Sequence, residues 1–251
     1  MPASTTSSPG LDLQGSQQKM ENLFLAVLAH ELRTPLNTIS GWIKLLQKGL
    51  GEDQIARAYT VIESNLNTQN RLIEDIFDLE RIRTGKLRLE MQRVTLESEI
   101  DRAVQAMRPS ANAKGVALRT LIQYQAAVMA DPDRLQQVIT NLLANAIKFT
   151  PPGGLVQIAL RSSGLGTQLT VSDNGKGITN ELLPRLFEPF VTADSASVRG
   201  KSGLGLGLPL VKLLVEMHDG RIVAESAGEG HGASFTIELP LIGRKSSSFN
   251  G

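Results

Sequence analysis

Residues 17–47 read QQKMENLFLAVLAHELRTPLNTISGWIKLLQ. Leu25, Leu28, Leu32, Leu36, Ile39, Ile43 and Leu46 recur at steps of three and four, the rhythm of an amphipathic helix. Lys48-Gly49-Leu50-Gly51 breaks that rhythm. Glu52 and Asp53 open a second helical segment, with Ile55, Tyr59, Ile62, Leu66, Ile73 and Ile76 in the same spacing and Thr84-Gly85 as its stop. Two long amphipathic helices joined by a tight turn make a helical hairpin. A lone hairpin leaves one apolar stripe uncovered. Pairing two hairpins into a four-helix bundle covers it, so the sequence predicts a homodimer.

The texture changes after Gly85. Leu87–Met91 alternates as a strand, 96–113 reads as a helix and Val116–Ile122 as a strand. Asp133–Phe149 is a strongly periodic helix. Val156–Leu160 and Gln168–Ser172 form a hairpin, a helix near 206–218 follows a glycine-rich stretch, and Arg221–Glu225 and Ser234–Leu239 are two closing strands. Helices and an antiparallel or mixed sheet in this order predict an α/β sandwich, and the whole chain an α+β multidomain protein. The Ser/Thr/Pro/Gly-rich residues 1–16 read as a disordered linker and 243–251 as a flexible tail. The expected domains are therefore 17–85 and 86–242.

Composition narrows the functions available. The chain has 251 residues and a net charge of +1, so it carries no electrostatic footprint for nucleic acid. It has no cysteine, which excludes disulfide and thiolate chemistry and fits a reducing cytoplasm. No apolar run is long enough to span a bilayer, so no direct membrane contact is expected. No sensor domain is evident, and the chain reads as a fragment of a longer protein.

His30 stands out in the first helix. At roughly 100° per residue it falls about 160° from the centre of the apolar stripe, on the polar face with Arg33, Thr34 and Asn37. An exposed histidine is ordinarily inert, but Pro35 follows it. A proline inside a helix costs about 3 kcal/mol and frees the carbonyl of residue 31, bending the helix beside His30. A helix built only for packing would avoid that. A neutral imidazole is a competent nucleophile near pH 7. Glu31 is placed to take its proton or hold its tautomer, and Thr34 to position a water.

A second constellation lies on the helix 133–149. Asn141, Asn145 and Lys148 share the side opposite the apolar face, with Arg134 near the same line. Amide oxygens suit Mg²⁺, which takes its remaining ligands from water and nucleotide phosphate, and Lys148 offers a point charge for phosphate. A third lies in two glycine-rich stretches. In Ser172-Asp173-Asn174-Gly175-Lys176-Gly177-Ile178, Asp173 can accept a hydrogen bond from an exocyclic amine such as adenine's, while Gly175 and Gly177 permit close backbone approach. In Gly200-Lys-Ser-Gly-Leu-Gly-Leu-Gly-Leu-Pro, Gly203, Gly205 and Gly207 lead into a helix N-terminus, a phosphate cradle. Between them, Leu186-Phe-Glu-Pro-Phe and 191–202 have the composition of an anchor and a lid.

These runs resemble the motifs of two-component sensor histidine kinases. Phe24-Leu-Ala-Val-Leu-Ala-His-Glu-Leu-Arg-Thr-Pro-Leu-Asn is similar to the H-box, Asn-Leu-Leu-Ala-Asn-Ala-Ile-Lys-Phe-Thr-Pro from Asn141 to the N-box, and the three later stretches to the G1, F and G2 boxes, in the family's order. The resemblance covers about residues 19–240. It implies a dimerisation and phosphotransfer hairpin followed by an ATP-binding domain, with ATP and Mg²⁺ as ligands. It also implies His30 as phosphoacceptor with Glu31 as its acid/base partner, Glu31 and Thr34 as the phosphatase pair, and Thr236 near the adenine. The phosphoryl group then passes to the receiver domain of a response regulator. Gyrase-like ATPases of similar fold usually carry a glutamate where Asn141 stands, and an amide cannot activate water, so transfer to His30 is favoured over hydrolysis. Two positions depart from the pattern: Ser202, and Asp219 in His218-Asp219-Gly220, each standing where glycine is common.

Overall fold

The computed structural model describes residues 10–164, 166–191 and 205–242. It divides into two compact units, with the break between Ile76 and Phe77.

The first unit holds two helices, α1 (Gly10–Gln47) and the greater part of α2 (Glu52–Arg83), joined through Lys48–Gly51. α1 begins at Gly10, so residues 10–16 are helical where a linker was expected. Extending a helix costs far less than nucleating one, and α1 propagates through Gly15 and Ser16. The expected linker residues 1–9 and tail residues 243–251 lie outside the described residues. Ile39 and Ala58 are buried, but Leu36, Ile43, Tyr59, Leu66 and Ile73 remain exposed in the single chain. The uncovered stripe expected of a lone hairpin is therefore present.

The second unit begins inside α2. Leu79 and Ile82, in its last two turns, pack on this unit's core, which is why the compact boundary falls near residue 77 rather than at Gly85. Leu87–Met91 is not a strand. The chain turns there, with the backbone N–H groups of Lys86 and Leu87 both donating to Arg81 O, and the strand β1 is Gln92–Thr95. It pairs antiparallel with β3 (Ala127–Ala130), a strand the periodicity did not reveal. α3 (Leu96–Lys114) and β2 (Ala117–Ile122) lie between them. Next come α4 (Pro132–Phe149), β4 (Leu155–Ser162), β5 (Gly166–Asp173), a 3₁₀ turn at Leu183–Arg185, α5 (Gly207–Met217), β6 (Arg221–Glu225) and β7 (Ala233–Pro240).

The main sheet is mixed, in the order β2-β4-β5-β7-β6, with β2 and β4 parallel and the other pairs antiparallel. One face carries Ile158, Leu160, Leu169 and Ile237, all essentially inaccessible, against Ile139, Leu142 and Leu143 of α4 and Leu210 and Leu214 of α5. Each such side chain contributes about 1.5–3 kcal/mol by leaving water. The other face is polar. There Gln168 and Arg221 both donate to Glu238 at 2.8 Å.

Candidate active site

His30 is exposed, as are Arg33, Thr34 and Asn37, while Glu31 is half-buried and Pro35 buried. The polar face predicted for α1 is thus the solvent face. The Thr34 hydroxyl donates to the His30 carbonyl oxygen at 3.1 Å, so its proton is committed to the helix and its lone pairs are what it offers outward. Local backbone hydrogen bonding of this kind is how a threonine is accommodated in mid-helix next to a proline.

In the second unit α4 organises the site. Asp131 caps its N-terminus, accepting from the N–H groups of Asp133 and Arg134 at 3.1 and 3.2 Å, with Pro132 in the first turn. The apolar stripe from Leu135 to Ile147 is buried, which leaves Asn141 and Asn145, one turn apart, half-buried on the other side. The Asn141 Nδ2 is enclosed and has no protein partner. A buried amide left unsatisfied is costly, and a ligand that completes it repays that cost. The two ends of an amide exchange by rotation, so this group can offer oxygen to a cation or N–H to a phosphate. The pair Asn141 and Asn145 thus fits a Mg²⁺–nucleotide. Lys148 is exposed, its ammonium 4.9 Å from the centre of the Phe149 ring.

The loop after β5 is tied to the far end of α4, where the Lys176 N–H donates to the Phe149 carbonyl at 3.0 Å. This brings Asp173, Gly175 and Gly177 to the end of the helix that bears Asn145. The Asp173 carboxylate accepts from the Gly175 N–H at 2.8 Å and from the backbone of Ala233. Burial nevertheless holds its carboxyl above the ordinary range, with those two bonds pulling the other way. Gly177 and Gly232 are obligatory. Both have positive φ, and a Cβ would lie 2.0 Å from Gly228 O in one case and 1.9 Å from Asp173 O in the other. The loops 173–178 and 226–232 are laced together: the Gly230 and Gly232 N–H groups donate to Lys176 O and Gly175 O, and Ser226 Oγ accepts from the Ile178 N–H.

α5 starts at Gly207 and packs beside α4, with Gly205 just before it accepting from the Phe190 N–H at 3.3 Å. Gly203 and Ser202 lie outside the described residues, as does most of the expected lid, 192–202.

Thr236 is a correction. Asp173 pairs across β5–β7 with Ala233, three residues earlier, and side chains alternate along a strand. Thr236 is therefore on the polar face, where its hydroxyl lies 3.1 Å from that of Thr170, and Ala233 is the residue on the Asp173 side. Only the strand register distinguishes the two. Sequence reading also missed Asp131, although Asp-Pro before an apolar stripe is a recognisable helix start.

The polar face of α1 with its histidine and the α4–loop–α5 cradle are together the signature of one enzyme class. Residues 20–85 match the His Kinase A (phospho-acceptor) domain, and residues 130–243 match the histidine kinase-, DNA gyrase B- and HSP90-like ATPase family. The chain is 38% identical over 233 residues to the non-motile and phage-resistance protein of Caulobacter vibrioides, covering 89% of this chain and 28% of that protein. It is 36% identical over 232 residues to the sensor histidine kinase RcsC of Escherichia coli, covering 92% of this chain and 24% of that one. Among solved structures it is similar to full-length ShkA in complex with AMPPNP, with TM-score 0.64 and 29% identity over 88% of this chain and 46% of that one. The histidine kinase AdeS of Acinetobacter baumannii shares the fold, with TM-score 0.64 at 23% identity over 85% of this chain and 98% of that one. The chain belongs to the two-component sensor histidine kinases and carries their catalytic core, a phosphoacceptor helical region followed by an ATP-binding domain. It spans less than a third of the length of either of the two curated relatives, the Caulobacter vibrioides protein and RcsC.

Proposed function

We propose that this chain phosphorylates its own His30 from Mg²⁺–ATP and passes the phosphoryl group to an aspartate on the receiver domain of a response regulator. It works as a homodimer in the cytoplasm. The reading is carried by one pairing within the chain. An imidazole lies exposed on the helix that also carries Pro35, and the nucleotide cradle presents carboxamides, Asn141 and Asn145, where a hydrolase needs a carboxylate base.

Asp173 accepts from the adenine amine, and Gly175 and Gly177, lacking side chains, let its loop fold tightly against the Phe149 and Gly228 backbone so that the carboxylate is held there. Asn141, Asn145 and Lys148 hold the phosphate end, with the glycine turn before α5 closing on the phosphates. Mg²⁺, when bound there, offsets charge on the phosphates. A ring nitrogen of His30 attacks the γ-phosphorus, the bond to the bridging β–γ oxygen breaks, and ADP leaves. The proton on the other ring nitrogen passes to Glu31, keeping the phosphorylated imidazole neutral. Without His30 as acceptor, Asn141 cannot take a proton from water, so turnover stops rather than diverting to hydrolysis. Glu31 and the outward lone pairs of Thr34 are suited to a second activity, orienting water for dephosphorylation of the regulator.

The test is labelling by γ-³²P-ATP. Acid-labile, base-stable label on wild type that vanishes in His30→Gln is expected. Label that persists in that variant, or vigorous ATP hydrolysis surviving it, overturns the proposal.

A further inference from the structure

α4 and α5 carry the two halves of the nucleotide cradle, and a buried histidine joins their opposite ends. His218, at the C-terminal cap of α5, is 2% exposed. Its Nε2 accepts from the backbone N–H of Asp131 at 3.0 Å, and that bond places the ring proton on Nδ1, which donates to Leu214 O at 2.7 Å. The partner is itself a node. The Asp131 carboxylate caps α4 through Asp133 and Arg134, and its second oxygen accepts from the Glu90 N–H at 3.0 Å.

The geometry has a consequence for the site. The C-terminal end of α5 meets the N-terminal end of α4 and the two helices pack alongside one another, so they run antiparallel. At about 1.5 Å per residue, the eleven residues from His218 back to Gly207 span about 16 Å. The same length along α4 from Asp131 reaches about residue 142, beside Asn141 and one turn short of Asn145. The tie at one end therefore fixes, at the other, where the glycine turn stands against Asn141 and Asn145. We infer that His218 is a positioning residue for nucleotide binding: it pins the register of α5 against α4 through the Asp131 amide. The inference rests on the proposed ATP site.

The pin can be separated from mere core packing by two substitutions in the full chain. His218→Gln places a carbonyl oxygen where Nε2 was and keeps an acceptor for the Asp131 N–H. His218→Asn is too short to reach it but keeps a donor for Leu214 O. Both remove the ring from the core, so similar losses of melting temperature are expected. The affinity for AMPPNP with Mg²⁺, measured by calorimetry, should fall on the order of tenfold in His218→Asn and by no more than about twofold in His218→Gln. Equal losses in both variants, or none in either, overturn the inference. Coupling is reciprocal, so in wild type AMPPNP should slow hydrogen exchange of the Asp131 amide by the same order of magnitude. This arm needs no variant to fold, and unchanged exchange on saturation also overturns the inference. If wild type itself binds no nucleotide, the proposed ATP site fails instead, whatever the variants do.

Discussion

Arg134 Nη1, in the first turn of α4, donates to Asp78 Oδ2 at 2.5 Å across 56 residues of chain. Gln137 closes the ring, donating to the same carboxylate oxygen at 3.0 Å and accepting from Arg134 at 2.8 Å. Asp78 is 6% exposed. The last turns of α2 are thereby fastened to the helix that bears the asparagines. Removing one partner of an enclosed ion pair leaves the other charge unpaired. Asp78→Ala is expected to destabilise the second unit by about 3 kcal/mol, and Asp78→Asn, which keeps an acceptor, by less. Equilibrium urea unfolding measures both.

Asp173 sets a pH dependence. Its carboxyl is held above the ordinary aspartate range, chiefly by burial. A native acid with a raised value takes up its proton more readily than the unfolded chain does. Its contribution to stability is therefore full below about pH 3.8 and is lost as the pH rises through the native value. The stability difference between wild type and Asp173→Asn should move in the variant's favour over that rise, in melts across a pH series. In the proposed ATP site this variant keeps its amide oxygen on the Gly175 N–H and turns its NH2 toward the adenine amine, which should weaken nucleotide binding about 10–100-fold.

Gly177→Ala tests the laced loops. Its φ of +72° and a Cβ only 2.0 Å from Gly228 O leave backbone as the group that must move. A loss of at least about 2 kcal/mol is expected, together with loss of AMPPNP binding in calorimetry.

Asp219 occupies positive φ, at 57°. This accounts for glycine being common at the equivalent place, since a side chain there is strained. Asp219→Gly should stabilise the chain by up to about 1 kcal/mol. That corresponds to a rise in melting temperature of about 2–4 °C for a chain of this size.

The dimer is testable on the exposed stripe of α2. Tyr59, Leu66 and Ile73 follow one another at seven-residue steps and are 63%, 47% and 38% exposed in the single chain. Leu66→Arg puts a charge in the middle of the face to be covered. It should raise the dimer dissociation constant about thirtyfold or more, read by sedimentation equilibrium.

The sequence by itself determined the long helices, because periodicity, caps and breakers are local. α4 runs from Pro132 to Phe149, within a residue of its apolar pattern, and His30 is exposed because it stands opposite a stripe readable on one helix. The likeness of five short motifs was equally legible, since each is a continuous run of sequence on one helix or loop. What tertiary structure alone decided depends on pairing between distant segments. β1 and β3 form because Gln92 meets Ala130, which no alternation in Leu87–Met91 could announce. Thr236 lies away from Asp173 because β7 is set against β5 at Ala233, and a shift of one residue would have turned it over. The last turns of α2 join the second unit because Leu79 and Ile82 pack on its core and Asp78 found Arg134, and α4 and α5 are tied by a histidine 87 residues from its partner amide. A short side chain discriminates among faces and partners only once the backbone has brought them within hydrogen-bonding distance, and that distance is fixed by the packed core rather than by any local pattern.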